Sequence, residues 1–188
     1  MGWLDTLLGR TKQAEPDLDA LFALPTAALT LEASAEMRPT GVGAVCFREA
    51  EGAPFARLKD EITVLLGGTE PEEQRDDFGY TWLIVRRPPD QMSELCTDLH
   101  TVNSSLEAAD FGPSLLCSTI GLKSDDGRGL ALVYLYKRGT FYPFAPVDAA
   151  SQRRDNALEL QTRALIGADL PIEPDVSRWF PVWGAPGV

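Results

Sequence analysis

The chain has few of the residue types from which catalytic and metal sites are built. Its 188 residues include one histidine and three cysteines, and Cys46, Cys96 and Cys117 lie far apart with no CxxC pair among them. This set lacks the ligand spacing of a zinc site, so we expect no metal and no cofactor. Scattered cysteines beside apolar residues are typical of free thiols in a reducing compartment, which predicts a cytoplasmic protein.

Positive charge is also scarce. The chain carries 17 Lys and Arg residues against 28 Asp and Glu, a net charge of -11. This argues against nucleic acid as a partner, because phosphate binding needs clustered cations. The acidity is uneven, since 15–77 holds 14 acidic and 5 basic residues (net -9) whereas 79–188 holds 13 and 10 (net -3). A surface that faces an anion would therefore belong to the second half, and the acidic part is typical of a solvated face.

Long apolar runs and catalytic motifs are missing as well. No stretch approaches the roughly 20 apolar residues that cross a bilayer, and the N-terminus lacks the pattern of a secretory signal. Neither a P-loop nor a dinucleotide-binding glycine motif occurs. His100 has no pattern of metal ligands or nucleophiles near it in the sequence, so we expect it to be a surface or capping residue. Because no catalytic set of residues is visible, we expect no enzyme activity.

Hydrophobic periodicity divides the chain into three parts: a short amphipathic helix in 1–14, one domain in 15–168, and a Pro- and Trp-rich tail in 169–188. Within the domain, the pattern predicts a short helix from Pro16 that Pro25 stops, and then a hairpin of strands 27–33 and 43–48. The remaining predictions are helices at 54–65, 91–109 (with Asp90 as N-cap) and 152–166, an acidic loop at 69–77, and strands at 80–86, 114–122, 130–137 and 140–144. Strands and helices do not alternate regularly, which predicts an α+β fold with a mostly antiparallel sheet and flanking helices.

Two groups of residues are candidates for binding a partner. The first is the apolar face of the N-terminal helix, which must dock on the body, on a partner or on a membrane surface. The second group consists of aromatic residues and cations from 134–146 and from 153–183. The stretch 134–146 alone holds five aromatics and an adjacent Lys-Arg pair. The candidates are Trp3, Leu4, Leu7, Leu8, Lys137, Arg138, Tyr142, Arg153, Arg154, Arg178, Trp179, Phe180 and Trp183.

Each candidate also has a purely structural interpretation. Arg153 or Arg154 could form an internal ion pair with Asp155 or Glu159. The tail aromatics are costly to leave in water, so they either fold back and lock the domain or anchor an interface.

Several segments together resemble the PspA-associated protein PspAB family of bacteria. They are Met-Gly-Trp-Leu-Asp-Thr-Leu-Leu-Gly-Arg at 1–10, the run at 134–146, Arg-Asp-Asn-Ala-Leu-Glu-Leu-Gln at 154–161 and Arg-Trp-Phe-Pro-Val-Trp-Gly-Ala-Pro at 178–186. The resemblance implies association with phage-shock protein A (PspA), which guards the inner membrane under envelope stress, and with the membrane protease HtpX. It implies no catalytic residues. The order of elements is also similar to secretion-chaperone-like and YbjN-like domains, which bind partners and often dimerise.

We therefore expect a non-enzymatic adaptor of the envelope-stress response, in the cytoplasm or associated with the membrane. Peripheral membrane contact through the N-terminal helix and a homodimer are further expectations. The alternative is an enzyme or sensor that binds a small anionic ligand. Its pocket would be lined by Tyr134, Tyr136, Arg138, Tyr142 and Arg154.

Overall fold

The computed structural model describes residues 16–48 and 52–188. The centre of this part of the molecule is one antiparallel sheet of six strands. The order across the sheet is β2-β3-β1-β4-β5-β6. Together with the helices on it, this sheet confirms the predicted α+β class. The strands are β1 Arg38–Arg48, β2 Glu72–Arg75, β3 Tyr80–Arg86, β4 Leu115–Lys123, β5 Gly129–Leu135 and β6 Thr140–Phe144, and a separate short pair comprises β7 Pro146–Asp148 and β8 Arg153–Arg154.

Helices cover one face of the sheet. They are α1 Leu24–Ala35, preceded by a 3-10 turn at Leu18–Ala23, then α2 Ala53–Leu65, α3 Met92–Leu106 and α4 Asn156–Ile166. The longest, α3, approaches β1 closely, because Gly43 has no side chain there. A Cβ at Gly43 would lie 3.0 Å from the Cδ1 of Leu99.

Side chains alternate between the two faces of each strand, as the pleat requires. In β1, Val45 and Phe47 pack under the helices, whereas Ala44 and Cys46 point to the opposite face. Both faces are buried along Leu130–Tyr134 of β5. This strand is therefore covered on both sides.

Within residues 16–48 and 52–188, the C-terminal segment rather than a further helix layer covers the second face. Ile172 forms a parallel bridge to Phe141 at the edge of the sheet, and farther along Trp179 and Ala185 are buried against the strands. The last residues cross β4, where Gly187 lies against Gly121. Residues 169–188 thus fold back on the body.

Substitution of Gly121 tests this close crossing. A Cβ at this position would lie 2.1 Å from the carbonyl oxygen of Gly187. We expect Gly121→Ala to displace the end of the tail and to lower the free energy of unfolding by about 1–3 kcal/mol in urea titrations. In the control Gly112→Ala, the nearest atom is the Tyr136 hydroxyl at 3.4 Å, so a change within about 0.5 kcal/mol is expected. Equal urea midpoints for the two variants would contradict the crossing.

The prediction of a strand at 27–33 is wrong, and so is the hairpin built on it. These residues belong to α1, where Leu24, Ala27, Ala28 and Leu31 are buried on one helical face. Pro25 does not stop a helix but occupies the first turn of α1, where its missing N–H costs nothing. The first strand is instead β1, which pairs with β3 and β4.

Other boundaries also differ. The predicted acidic loop contains the edge strand β2, whose side chains are all exposed and mostly charged. Helix α3 ends at Leu106 and continues as a π-helical turn, and its N-cap is Gln91 rather than Asp90. Helix α4 begins only at Asn156, because the Asp155 carboxylate caps it by accepting a hydrogen bond from the Leu158 amide.

One helical run meets the length and composition of a membrane span. Within the described residues, Leu18–Ala35 has 18 residues and a mean hydropathy of 1.2. This corrects the expectation that no stretch approaches such a span. One face of the run packs on the rest of the fold, where Leu21, Leu24 and Leu31 are buried, and 28% of the run is buried in total.

Candidate functional site

A cavity of about 570 Å³ opens on the second face of the sheet, between the C-terminal segment and the β2–β3 hairpin. We call it the aromatic groove. It is defined by a floor of Trp82, Cys46, Cys117 and Leu135, a hairpin wall of Asp76, Phe78 and Tyr80, and a tail wall of Phe180 and Trp183.

The floor is a single row across four neighbouring strands. Trp82 lies opposite Cys46, Cys46 opposite Cys117, and Cys117 opposite Leu135. Trp82, Cys46 and Cys117 are at most 7% exposed. Little of their surface is exposed, but these side chains border the cavity and make its floor apolar.

Asp76 organises the hairpin wall. Its Oδ1 accepts hydrogen bonds from the amides of Phe78 and Tyr80, and its Oδ2 accepts one from the indole nitrogen of Trp82 at 3.0 Å. These bonds fix the turn that carries Phe78, whose side chain remains 62% exposed. Both carboxylate oxygens of Asp76 thus accept hydrogen bonds from within the β2–β3 hairpin.

Tyr142 holds the opposite wall. Its hydroxyl donates to the carbonyl oxygen of Phe180 at 2.7 Å, and its ring stacks on Trp179. Trp183 packs edge-on against Phe144 with ring centroids 4.9 Å apart. Phe180 is left 61% exposed at the rim.

A buried ion pair ties the start of the tail to the sheet. The guanidinium of Arg138 contacts the Glu173 carboxylate with Nε–Oε2 at 2.5 Å, and Thr140 and the Asp175 amide also donate to it. Burial by itself raises the pKa of Glu173, but the bonds from Arg138, Thr140 and Asp175 outweigh it and lower the pKa below its ordinary value of 4.5. Glu173 is therefore ionised in the folded protein at neutral pH.

The lowered pKa of Glu173 predicts an acid-sensitive contribution to stability. This contribution is fully present above the unfolded-state pKa and is lost as the pH falls through the lower folded-state pKa. We expect Glu173→Gln to reduce the free energy of unfolding on the order of 2 kcal/mol at pH 7, and by less below pH 4. Urea titrations of both proteins from pH 7 to pH 3 measure the difference, and a gap that stays constant over this range would contradict the assignment.

A second ion pair lies where α4 meets the tail. Arg154 Nε donates to Glu159 Oε1 at 2.7 Å, and its Nη1 donates to the Trp179 carbonyl oxygen at 2.9 Å. Its guanidinium carbon lies 5.1 Å from the centre of the Phe144 ring. The internal ion pair considered for Arg153 or Arg154 is thus present at Arg154.

The structure brings some of the predicted binding residues together and separates others. Lys137, Arg138, Tyr142, Phe180 and Trp183 line the aromatic groove. Arg153 and Arg178 are exposed outside it, whereas Arg154 and Trp179 pack inward beneath the tail. The four candidates of the N-terminal helix, Trp3, Leu4, Leu7 and Leu8, lie outside the described residues. A binding role for any of these residues remains a prediction.

The five side chains that the sequence predicts to line a ligand pocket do not all lie together in the structure. Tyr134 and Tyr136 belong to the core beneath the helices, and Tyr142 lies on the opposite face of the sheet. Alternation along β5 and β6 separates them, so only Arg138 and Tyr142 of that set line the groove. Arg154 is committed to Glu159.

Sequence reasoning missed the hairpin wall and the floor. The segment 76–82 has polar turn residues followed by aromatics, which marks a hairpin but not the sheet face that it borders. Cys46 and Cys117 were correctly expected to be apolar in character, and both are free thiols. Their opposition depends on strand register, which no local pattern supplies.

His100 and the acidic side chains are the remaining candidates for metal binding. In 16–48 and 52–188, no group of three or more His, Cys, Asp or Glu side chains is placed to hold a metal ion. His100 stacks on Phe22 with centroids 4.9 Å apart, and its Nε2 lies 3.4 Å from Asp19 Oδ1 near the surface.

Fold and site together define an α+β protein with a concave aromatic surface on the sheet face that its own C-terminal segment covers. The chain belongs to the PspAB family: the family model described as PspA associated protein B matches residues 1–187. This confirms the resemblance seen in the sequence and links the protein to PspA. No curated protein and no solved structure matches the chain, so the similarity to secretion-chaperone-like and YbjN-like domains stays a prediction.

Proposed function

We propose that this protein is a non-enzymatic adaptor that binds PspA through the aromatic groove. The observation that carries the proposal is the exposure of apolar side chains around a concave floor. Phe78 and Phe180 are 62% and 61% exposed on opposite walls of the groove. Clustered exposed aromatics at a concavity are typical of interaction sites.

The family description supports PspA as the occupant. Action in the cytoplasm, association with the membrane through the N-terminal segment, and contact with HtpX are parts of the same proposal. A homodimer that buries the groove is the competing use of this surface. In that case the exposed aromatics would be satisfied by a second copy of the chain.

Calorimetric titration of purified PspA tests the proposal. We expect Phe78→Ser and Phe180→Ser each to weaken binding roughly 30-fold, which corresponds to about 2 kcal/mol for an anchor residue. Val176→Ser is the matched control, because Val176 is 51% exposed in the same tail but does not line the groove. Its affinity should stay within about two-fold of wild type.

Two outcomes would overturn the proposal. The first is an absence of measurable binding between PspA and the wild-type protein. The second is equal affinity of the groove variants and the control. Sedimentation equilibrium of the free protein distinguishes a homodimer from a free groove. A dimer that forms through the groove would dissociate in the Phe180→Ser variant.

A second function is favoured by the volume of the groove and by one cation at its rim. A cavity of about 570 Å³ lies within the range of small-molecule sites. The Lys137 ammonium lies at its rim, exposed, and donates to the Pro113 carbonyl oxygen. A small anionic ligand with an apolar body is the alternative occupant. Native mass spectrometry of the freshly purified protein would reveal it as a stoichiometric adduct that Lys137→Gln loses.

A further inference from the structure

Two of the three cysteines form a directly opposed pair in the floor of the aromatic groove. Cys46 of β1 and Cys117 of β4 are register partners on adjacent antiparallel strands, and both side chains lie on the groove face. Opposed residues in such strands have Cα atoms about 4.5–5.5 Å apart. A disulfide needs roughly 4.4–6.8 Å, so opposed positions of this kind fall within the required range. The strand register shifts directly after this pair, between Cys46 and Phe47.

The two thiols are neighbours in the sheet, and both border the open cavity. The adjacent Cys117 side chain, together with burial, raises the pKa of the Cys46 thiol. Their own exposure is only 3% and 7%, but both border the open cavity. A small oxidant that enters the groove therefore reaches the sulfur atoms without unfolding the sheet.

We propose that Cys46 and Cys117 are a redox modification site, at which a peroxide converts the dithiol into a cross-strand disulfide in the folded protein. One sulfur attacks the peroxide and becomes a sulfenic acid, with release of one water. The second sulfur then displaces the hydroxyl group as a second water and forms the S–S bond. Overall, two thiols lose two electrons and two protons to one peroxide, which is reduced to two waters.

The bond has predictable physical effects. It closes a loop of roughly 70 residues and restricts the unfolded chain, so the oxidised protein should melt roughly 10 °C higher than the reduced one. Trp82 lies opposite Cys46 in the same row, so its fluorescence reports the change in the floor. Because the thiolate is the reactive form and the pKa of Cys46 is raised, oxidation should accelerate as the pH rises.

Peptide mapping after treatment of the native protein with hydrogen peroxide tests the inference. Wild type should lose 2 Da and two of its three alkylatable thiols, and a linked pair of peptides should contain Cys46 and Cys117. The matched control is Cys96→Ser, since Cys96 is buried in α3 beneath the other face of the sheet and should not take part. Cys46→Ser and Cys117→Ser should each abolish the intramolecular bridge.

Three results in the wild-type protein would overturn the inference: all thiols remain reduced, the bridge includes Cys96, or the bridge forms only in denaturant. The readout needs no partner, so this inference goes beyond the proposed adaptor role and can fail independently of it. Repeating the PspA titration with oxidised protein then shows whether the floor contributes to binding.

Discussion

Replacing Trp179 by alanine is expected to lower the free energy of unfolding by about 3–5 kcal/mol, the usual cost of truncating a buried tryptophan. Trp179 is 4% exposed, and its indole nitrogen donates to the Glu173 carbonyl oxygen at 3.0 Å. Its ring stacks on Tyr142, with centroids 6.1 Å apart. The substitution therefore leaves a cavity between the tail and the sheet. Urea titration at pH 7 measures the loss.

The neighbouring residue is the control for this prediction. Phe180 is 61% exposed, so Phe180→Ala should change the free energy of unfolding by no more than about 0.5 kcal/mol. A Trp179→Ala variant as stable as Phe180→Ala would mean that the tail does not pack on the sheet in solution.

The second large effect is expected at Arg154. Replacing Arg154 by methionine leaves Glu159, whose side chain is 4% exposed, as a buried carboxylate without its charged partner. Breaking a buried pair from one side costs about 3–5 kcal/mol. The bond to the Trp179 carbonyl oxygen is lost as well. Unfolding in urea at pH 7 should show the loss, and adding Glu159→Gln should recover part of it because the uncompensated charge is removed.

Arg153 provides the comparison, because it is the adjacent residue, has the same charge and is exposed. Arg153→Met should leave the free energy of unfolding within about 0.5 kcal/mol of wild type. If Arg153→Met and Arg154→Met are equally stable, the ion pair with Glu159 does not stabilise the fold.

Comparing adjacent residues distinguishes effects on the free energy of unfolding from effects on partner binding. In the tail, Trp179 packs inward while Phe180 borders the groove, so only Phe180 is a clean probe of partner contact. A Trp179 variant would disturb the groove indirectly by loosening its tail wall. Loss of binding in that variant would therefore not locate the interface.

The sequence predicts the sheet-forming half of the fold well. Strands such as Tyr80–Arg86 and Thr140–Phe144 match the structure in both bounds, because β-branched and aromatic residues between turn signals leave little ambiguity. Helix α2 is similarly clear, since Phe55, Leu58 and Ile62 recur at helical spacing and are buried. The short apolar stretch at 27–33 is wrongly predicted as a strand, because Leu29 and Leu31 alternate with other residues. In the structure only Leu31 shares the buried helical face of Leu24, and Leu29 is exposed.

The candidate site could be predicted only in part. The aromatic and cationic residues of 134–146 and of the tail were recognisable by composition, but their division between two faces follows from strand alternation and from the path of the tail. The partnership of Trp82 with Asp76, and of Cys46 with Cys117, depends on contacts between segments distant in sequence or on register. Local patterns carry no information on such contacts.

Hydrogen–deuterium exchange of the protein with and without PspA tests the central claim most directly, namely that the aromatic groove is the interface. The account predicts that PspA slows exchange in the hairpin wall at 76–80 and in the tail at 178–184, with little change in α2 and α3. Protection confined to the helical face, with exchange at both walls of the groove unchanged, would contradict it.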